Sequence, residues 1–301
     1  MKRLLRLVVH FFLRSYPSYA GVNRVVNSRF VKWLTAEPEV VVTRLRTGEA
    51  IVVDISDYCG RAIYFWGDYD PRITRLCVGA LEPGEVMLDI GANYGEIAIA
   101  AARKIGPRGA VHAFEPNAKV AAYLRRSAEL NRFAHLVVHE VALGSADGVG
   151  ELRGEGGHHS GTGSLLTTAE AASSMSPAEV GRWEERVSYG AVTVRAAGDY
   201  LRQVVQGPIA VVKIDVEGME GPILESMEPI LREDRPRMIC FESHHSPVPF
   251  FDRAPVQCLA RLGYRFKQVV VEARLSLEPE LVDVPPSGPT RNGRDFVALL
   301  T

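Results

Sequence analysis

The chain has 301 residues, with 35 Lys+Arg against 36 Asp+Glu, a formal net charge of -1, 47% apolar and 24% charged residues. That composition excludes a disordered chain, lacks the basic excess of a general nucleic-acid binder, and contains no apolar run of the ~18 residues a membrane span needs. Four cysteines, Cys59, Cys77, Cys240 and Cys258, form no CxxC pair; they read as small buried apolar residues in a reducing cytoplasm, neither zinc ligands nor a disulfide framework.

Charge is uneven along the chain. Residues 1–50 hold nine Lys/Arg and three Asp/Glu, a balance of +6, so the remainder carries -7. The opening MKRLLRLVVHFFLR is broken by Arg6, His10 and Arg14 and lacks the small-residue cleavage site of a secretory leader. Residues 1–34 therefore suggest a basic amphipathic segment with two placements. It lies on an anionic membrane face, or it packs on its own domain or a partner subunit with Leu4, Leu5, Val8, Phe11 and Phe12 inward. Residues 39–66 read as short strands, EVVVTRLRT, AIVVDISD and RAIYFW, with Gly48 and Gly60 as turn signals. Asp70-Pro71 opens a helix through Leu81, which Pro83-Gly84 ends.

Strand–helix alternation then begins. Residues 86–90, 110–114 and 136–143 read as strands, with helices at 97–105 and 119–131 between them; 211–214 and 238–241 are further buried strands. Such apolar runs alternating with helices indicate a parallel sheet covered on both faces, and right-handed crossovers make it doubly wound. Residues 144–200 interrupt the pattern. A Gly/Ser/His-rich hairpin and loop over 144–163 precede a capping-box start at Ser176-Pro177-Ala178-Glu179 and a strand at 192–194. Residues 264–271 and 295–300 form an antiparallel pair at one end of the sheet. The predicted organisation is an N-terminal extension over 1–80 (basic helix, short strands, helix) and a cofactor-binding domain over 81–301, with an insertion at about 144–200.

The most informative stretch is VMLDIGANYG, from Val86 to Gly95: a strand, a glycine turn, then a helix. Ligands of open α/β sheets bind beyond the carboxyl ends of strands, and Gly91 and Gly95 let backbone approach a ligand. Asp89 at the strand tip would repel a pyrophosphate, and both the GxGxxG and GxxxxGK[ST] spacings are missing. The site therefore suits a nucleoside without phosphates and tolerates a cation, as S-adenosylmethionine requires with its ammonium and sulfonium. Glu115, at the end of the next strand in HAFEP, is placed to accept hydrogens from both ribose hydroxyls.

DIGANYG, AFEPN, KIDVEG and FESH, in this order and spacing, closely resemble the FkbM family of S-adenosylmethionine-dependent methyltransferases. The resemblance runs from about Gly48 to the C-terminus, and DISDYCGRAIYFWGDYD looks like the segment that precedes the family core. It implies a Rossmann-like class I methyltransferase fold, α/β, with a mainly parallel seven-stranded sheet whose last hairpin adds an antiparallel strand. It also implies O-methylation of a small natural product, sugar or lipid. Carried over by position, Asp89, Gly91, Ala92, Asn93 and Gly95 line the methionine end of the cofactor, Glu115 holds the ribose, and Pro116 and Asn117 flank the adenine. The 150–200 region has no aligned pattern, and acceptor specificity is expected there.

A hydroxyl acceptor must lose its proton, so a general base is expected near the strand tips. Asp215, on the strand face it shares with Lys213, is one candidate and also a cofactor contact; the alternative is that Asp215 and Glu217 only cap the next helix. Glu242 and His244 match the family's acid-x-His pattern, and a neutral imidazole suits a base near neutral pH. Carboxylates and histidines gathered at strand tips could also bind a divalent metal, but no metal-ligand spacing compels one. His112, His135 and His139 read as structural or exposed, and His158 and His159 as loop residues. Two other readings stay open: an NAD(P)-dependent oxidoreductase, disfavoured by Asp89 and the missing GxGxxG, and a non-catalytic cofactor-binding module.

Overall fold

The computed structural model describes residues 1–16, 21–154, 164–167, 185–216, 218–243, 248–270, 279–289 and 293–300. Its chain opens with helices α1 (Lys2–Ser15), α2 (Val22–Val26) and α3 (Arg29–Leu34). Strands β1 (Val40–Arg44) and β2 (Ala50–Asp54) then form an antiparallel hairpin, as their alternation predicts. The third expected strand of that region is instead helix α4 (Tyr58–Trp66). The Asp57 carboxylate caps it by accepting the Cys59 and Gly60 N–H groups. Every residue from Cys59 to Trp66 is buried, so the segment shows neither a helical nor a strand period of polarity. Gly60 marks a close approach rather than a turn, since a methyl group there would strike the Asp54 carbonyl.

Asp70 and Pro71 start helix α5 (Pro71–Gly79), with the Asp70 carboxylate accepting the Arg72 and Ile73 N–H groups. Next come β3 (Val86–Ile90), α6 (Glu96–Ile105), β4 (Ala110–Phe114), α7 (Ala118–Asn131) and β5 (Leu136–His139). The strand expected over 136–143 is thus shorter. It ends at His139, and β6 (Ala142–Gly144) belongs to a second sheet with β7 (Gly148–Gly154), β8 (Ser164–Thr167) and β9 (Val187–Ala196). The second sheet occupies the predicted insertion, and the expected helix at Ser176 lies outside the described residues. Helix α8 (Ala197–Val204), β10 (Ile209–Ile214), α9 (Glu220–Asp234), β11 (Met238–Glu242), α10 (Ala254–Arg261), β12 (Tyr264–Val270), β13 (Glu280–Asp283) and β14 (Asp295–Leu300) complete the chain.

The main sheet has the order β5-β4-β3-β10-β11-β14-β12-β13. Pairs from β5 to β11 are parallel and those involving β14 are antiparallel. Seven of these strands match the expected Rossmann-like arrangement; β13 adds an eighth at the edge, antiparallel to β12. Order reverses between β3 and β10, and loops after both strands open a crevice there. One face of the sheet packs on α4, α5, α6 and α7, with Phe65, Trp66, Met87, Ile99 and Leu124 at the centre; Val22, Val26 and Val31 of the N-terminal helices join the same core. The other face packs on α8, α9 and α10 around Leu88, Val212, Ile223 and Phe241. Among the described residues, no helix is long and apolar enough to cross a membrane.

Candidate active site

A cavity of about 330 Å³ opens at the carboxyl ends of β3, β4, β10 and β11, within the ~300–1,000 Å³ range of small-molecule sites. Its floor is the glycine turn. Gly91 (φ 76°), Asn93 (φ 50°) and Gly95 (φ 83°) are all left-handed, the conformation that permits a sharp exit from β3 into α6. A methyl group on Gly91 would run into the Asp215 carbonyl, so only glycine lets the two loops touch. The Gly91 and Ala92 N–H groups both donate to the Phe114 carbonyl, tying the turn to β4.

Glu115 follows β4 and is buried at the cavity wall. Its carboxylate accepts the Asn93 N–H at 2.9 Å and the Asn117 N–H at 2.8 Å, one on each oxygen. Burial pushes its pKa up to about 7, against the lowering effect of those two hydrogen bonds. Of the residues singled out in the sequence, Gly91, Ala92, Asn93, Glu115 and Pro116 line the cavity. Asn117 and Gly95 stand behind it: the Asn117 side chain caps α7 and Gly95 caps α6 with its left-handed backbone.

Asp89 also lies beneath the wall. It is 1% exposed, and among the described residues neither carboxylate oxygen has a hydrogen-bond partner. What faces it is an ammonium: β10 register sets Lys213 opposite Asp89, with Nζ 3.3 Å from Asp89 Oδ1 and 3.8 Å from Asp215 Oδ2. The same Nζ donates to the Gly91 carbonyl at 2.6 Å. Burial by itself lowers the Lys213 pKa, but the Asp89 and Asp215 carboxylates outweigh it and leave it raised. Lys213 is therefore a fixed cation that neutralises Asp89 and holds the glycine turn. The Asp215 side chain, 43% exposed, reaches the cavity from the end of β10. Glu220, rather than Asp215, accepts the Val216 and Gly218 N–H groups before α9; Glu217 lies outside the described residues.

The opposite end of the cavity is polar. Glu242 closes β11 and pairs with Arg294 (Nε to Oε1, 2.8 Å). His244 lies outside the described residues. Sequence reading missed Asp295, opposite Glu242 in the antiparallel β11–β14 register, and Arg72, 2.7 Å from Asp70 and 3.7 Å from Asp295. These residues come from α5 and β14, and no local pattern connects them. Burial, followed by the nearby Asp70 charge, pushes the Asp295 pKa up to about 6. Glu96, in the first turn of α6, was also missed; burial takes its pKa to about 7. Among the described residues, Asp70, Glu96, Glu115, Asp215, Glu242 and Asp295 face the cavity against Arg72, Lys213 and Arg294, six acids to three cations. The apolar side is formed by Phe114, Val141 and Leu143. Behind Phe114, His139 stacks on its ring at 4.6 Å and meets His112 at 3.0 Å, so both histidines are structural.

The family described as "Methyltransferase FkbM domain" matches residues 89–266, more than half of the chain. No curated protein matches it. Among solved structures, a precorrin-6y C5,15-methyltransferase from Geobacter metallireducens is 13% identical, with 78% of this chain and 88% of that one covered and a TM-score of 0.41. A methyltransferase FkbM from Methylobacillus flagellatus is 14% identical at a TM-score of 0.41; 80% of this chain is covered but 53% of that one, about half its length. Aeropyrum pernix fibrillarin, solved with natively bound S-adenosyl-L-methionine, is 12% identical, covering 87% of this chain and all of its own, with a TM-score of 0.40.

Proposed function

The chain belongs to the methyltransferase FkbM domain family, and on that premise we propose that it methylates a hydroxyl of a small natural product, sugar or lipid, using S-adenosylmethionine. The observation that carries this reading is Glu115, buried beside the Gly91–Asn93 turn at adjacent strand tips, in a cavity whose acids outnumber its cations. Such a charge balance attracts a cationic nucleoside and repels a pyrophosphate. After accepting two backbone N–H groups, the Glu115 carboxylate keeps lone pairs for ribose hydroxyls. Phe114, Val141 and Leu143 offer apolar surface to a base, and the glycine turn brings backbone against the amino-acid end.

When bound, S-adenosylmethionine supplies a methyl group already activated by its sulfonium, so positioning supplies much of the acceleration. What the protein must add is a place for the acceptor's proton. The candidates are Asp215, Glu242 and Asp295, which line the cavity, and His244, two residues beyond Glu242 in sequence. With a pKa of about 6, Asp295 exchanges a proton close to neutral pH. The four cysteines described are buried free thiols, in keeping with a cytoplasmic location. The test is incubation with methyl-labelled S-adenosylmethionine and a host extract, followed by mass and NMR identification of the labelled product. Label on oxygen supports the reading; label on carbon or nitrogen overturns its O-directed part.

A further inference from the structure

We infer that the N-terminal helices form a docking surface for an anionic lipid bilayer. Helix α1 has two unlike faces. Arg6, Val9, His10 and Leu13 face the protein: Val9 and Leu13 pack on the core, and Arg6 makes a bidentate pair with Glu39 at 2.5 and 2.7 Å. The helical period sets Leu4, Val8, Phe11 and Phe12 on the opposite side. Their exposures are 67, 46, 67 and 67%, so the expected inward packing of these side chains does not occur. Helix α1 does pack on its own domain, but through the face that carries Arg6, Val9, His10 and Leu13 rather than the one expected.

The outward apolar stripe does not stop at α1. Phe30 and Trp33 of α3 are also about half exposed and stack at 6.1 Å. Lys2 Nζ lies 4.7 Å from the Trp33 ring centroid, joining the start of α1 to α3 in one surface. Lys2, Arg3, Arg24, Arg29 and Lys32 are exposed around it. Residues 1–34 contain seven Lys/Arg and no Asp or Glu. That charge selects the occupant. A second copy docking about a two-fold axis would bring two faces of five exposed cations together, whereas anionic headgroups complement them. An apolar stripe flanked by cations, with Trp and Phe beside it, is the pattern of a helix lying in the lipid interface. The surface meets the cavity at α2, where Asn23 lines the cavity and its neighbours Arg24 and Val25 are exposed.

The test is co-sedimentation of the full chain with vesicles of equimolar phosphatidylcholine and phosphatidylglycerol, and with phosphatidylcholine alone. Binding to the mixed vesicles, weakened by added salt and much weaker on phosphatidylcholine, is expected. A Phe11→Asp, Phe12→Asp variant should bind roughly tenfold or more weakly, and Lys2→Gln, Arg3→Gln should lose about fivefold per charge. All four side chains are exposed, so thermal unfolding should match wild type. Absence of binding to mixed vesicles, or unchanged binding by the Phe variant, overturns the inference. So does a concentration-dependent dimer that the Phe variant dissolves without any vesicle binding, which would assign the face to a second copy.

Discussion

Replacing Lys213 with methionine removes the counter-charge from Asp89. The lysine is buried and its Nζ sits 3.3 Å from a carboxylate that is 1% exposed and has no hydrogen-bond donor among the described residues. Removing one partner of a buried ion pair costs ~3–5 kcal/mol, a large part of the ~5–15 kcal/mol that holds a native domain folded. At ~2–4 °C per kcal/mol, the unfolding midpoint should fall by roughly 6–20 °C. The Asp215 contact adds little, because that carboxylate is 43% exposed. Adding Asp89→Leu should restore part of the loss, since an apolar pair of similar volume is often neutral. A residue of ~1–3 kcal/mol should remain, because the Gly91 carbonyl also loses its donor. Scanning calorimetry of the two variants decides the matter. A single variant within ~1 kcal/mol of wild type, or a double variant no better than the single, would refute this account of Lys213.

Glu96 and Glu115 have folded pKa values of about 7, raised from 4.5 by burial; their contribution to stability is full below 4.5 and is lost as pH rises through about 7. Urea midpoints across that window should show the fall, and a Glu96→Gln, Glu115→Gln variant should flatten it; an equal slope in both proteins contradicts the assignment. Gly91→Ala forces a left-handed backbone at φ 76° and drives a methyl group into the Asp215 carbonyl. It should cost at least the ~1–3 kcal/mol of such strain and weaken cofactor binding in titration calorimetry; wild-type affinity contradicts the close approach. Asp295→Asn should lower kcat by up to ~10²–10⁴-fold if this carboxylate is the base, with cofactor affinity unchanged. A parallel loss of cofactor affinity would move Asp295 to the cofactor end.

The glycine-turn side of the cavity was legible because it is local. Asp89, Gly91, Asn93 and Glu115 sit at the ends of two strands one crossover apart, and the parallel register of β3 and β4 brings those ends together. The opposite, polar side was not. Asp70, Arg72 and Asp295 meet only because β14 inserts antiparallel beside β11 and α5 packs beneath, and neither event leaves a motif. Helix α4 was misread because complete burial erases the polar period that separates helix from strand. The strand over 136–143 looked continuous because its hydrophobicity continues from the main sheet into the second one, where β6 pairs with β9. In α1 the amphipathic pattern was visible, but its direction was not. The Arg6–Glu39 pair turns a charged side inward and leaves the phenylalanines outside.

The proposal rests on S-adenosylmethionine binding through Glu115 in the acid-rich cavity above the glycine turn. Titration calorimetry of wild type and Glu115→Gln, with S-adenosylmethionine and with NAD, tests it most directly. The account predicts binding of S-adenosylmethionine by the wild type, an affinity reduced by the ~1.5–3 kcal/mol of a charge-assisted hydrogen bond in the variant, and no heat with NAD. Absence of S-adenosylmethionine binding, equal affinity in the variant, or tighter binding of NAD would contradict it.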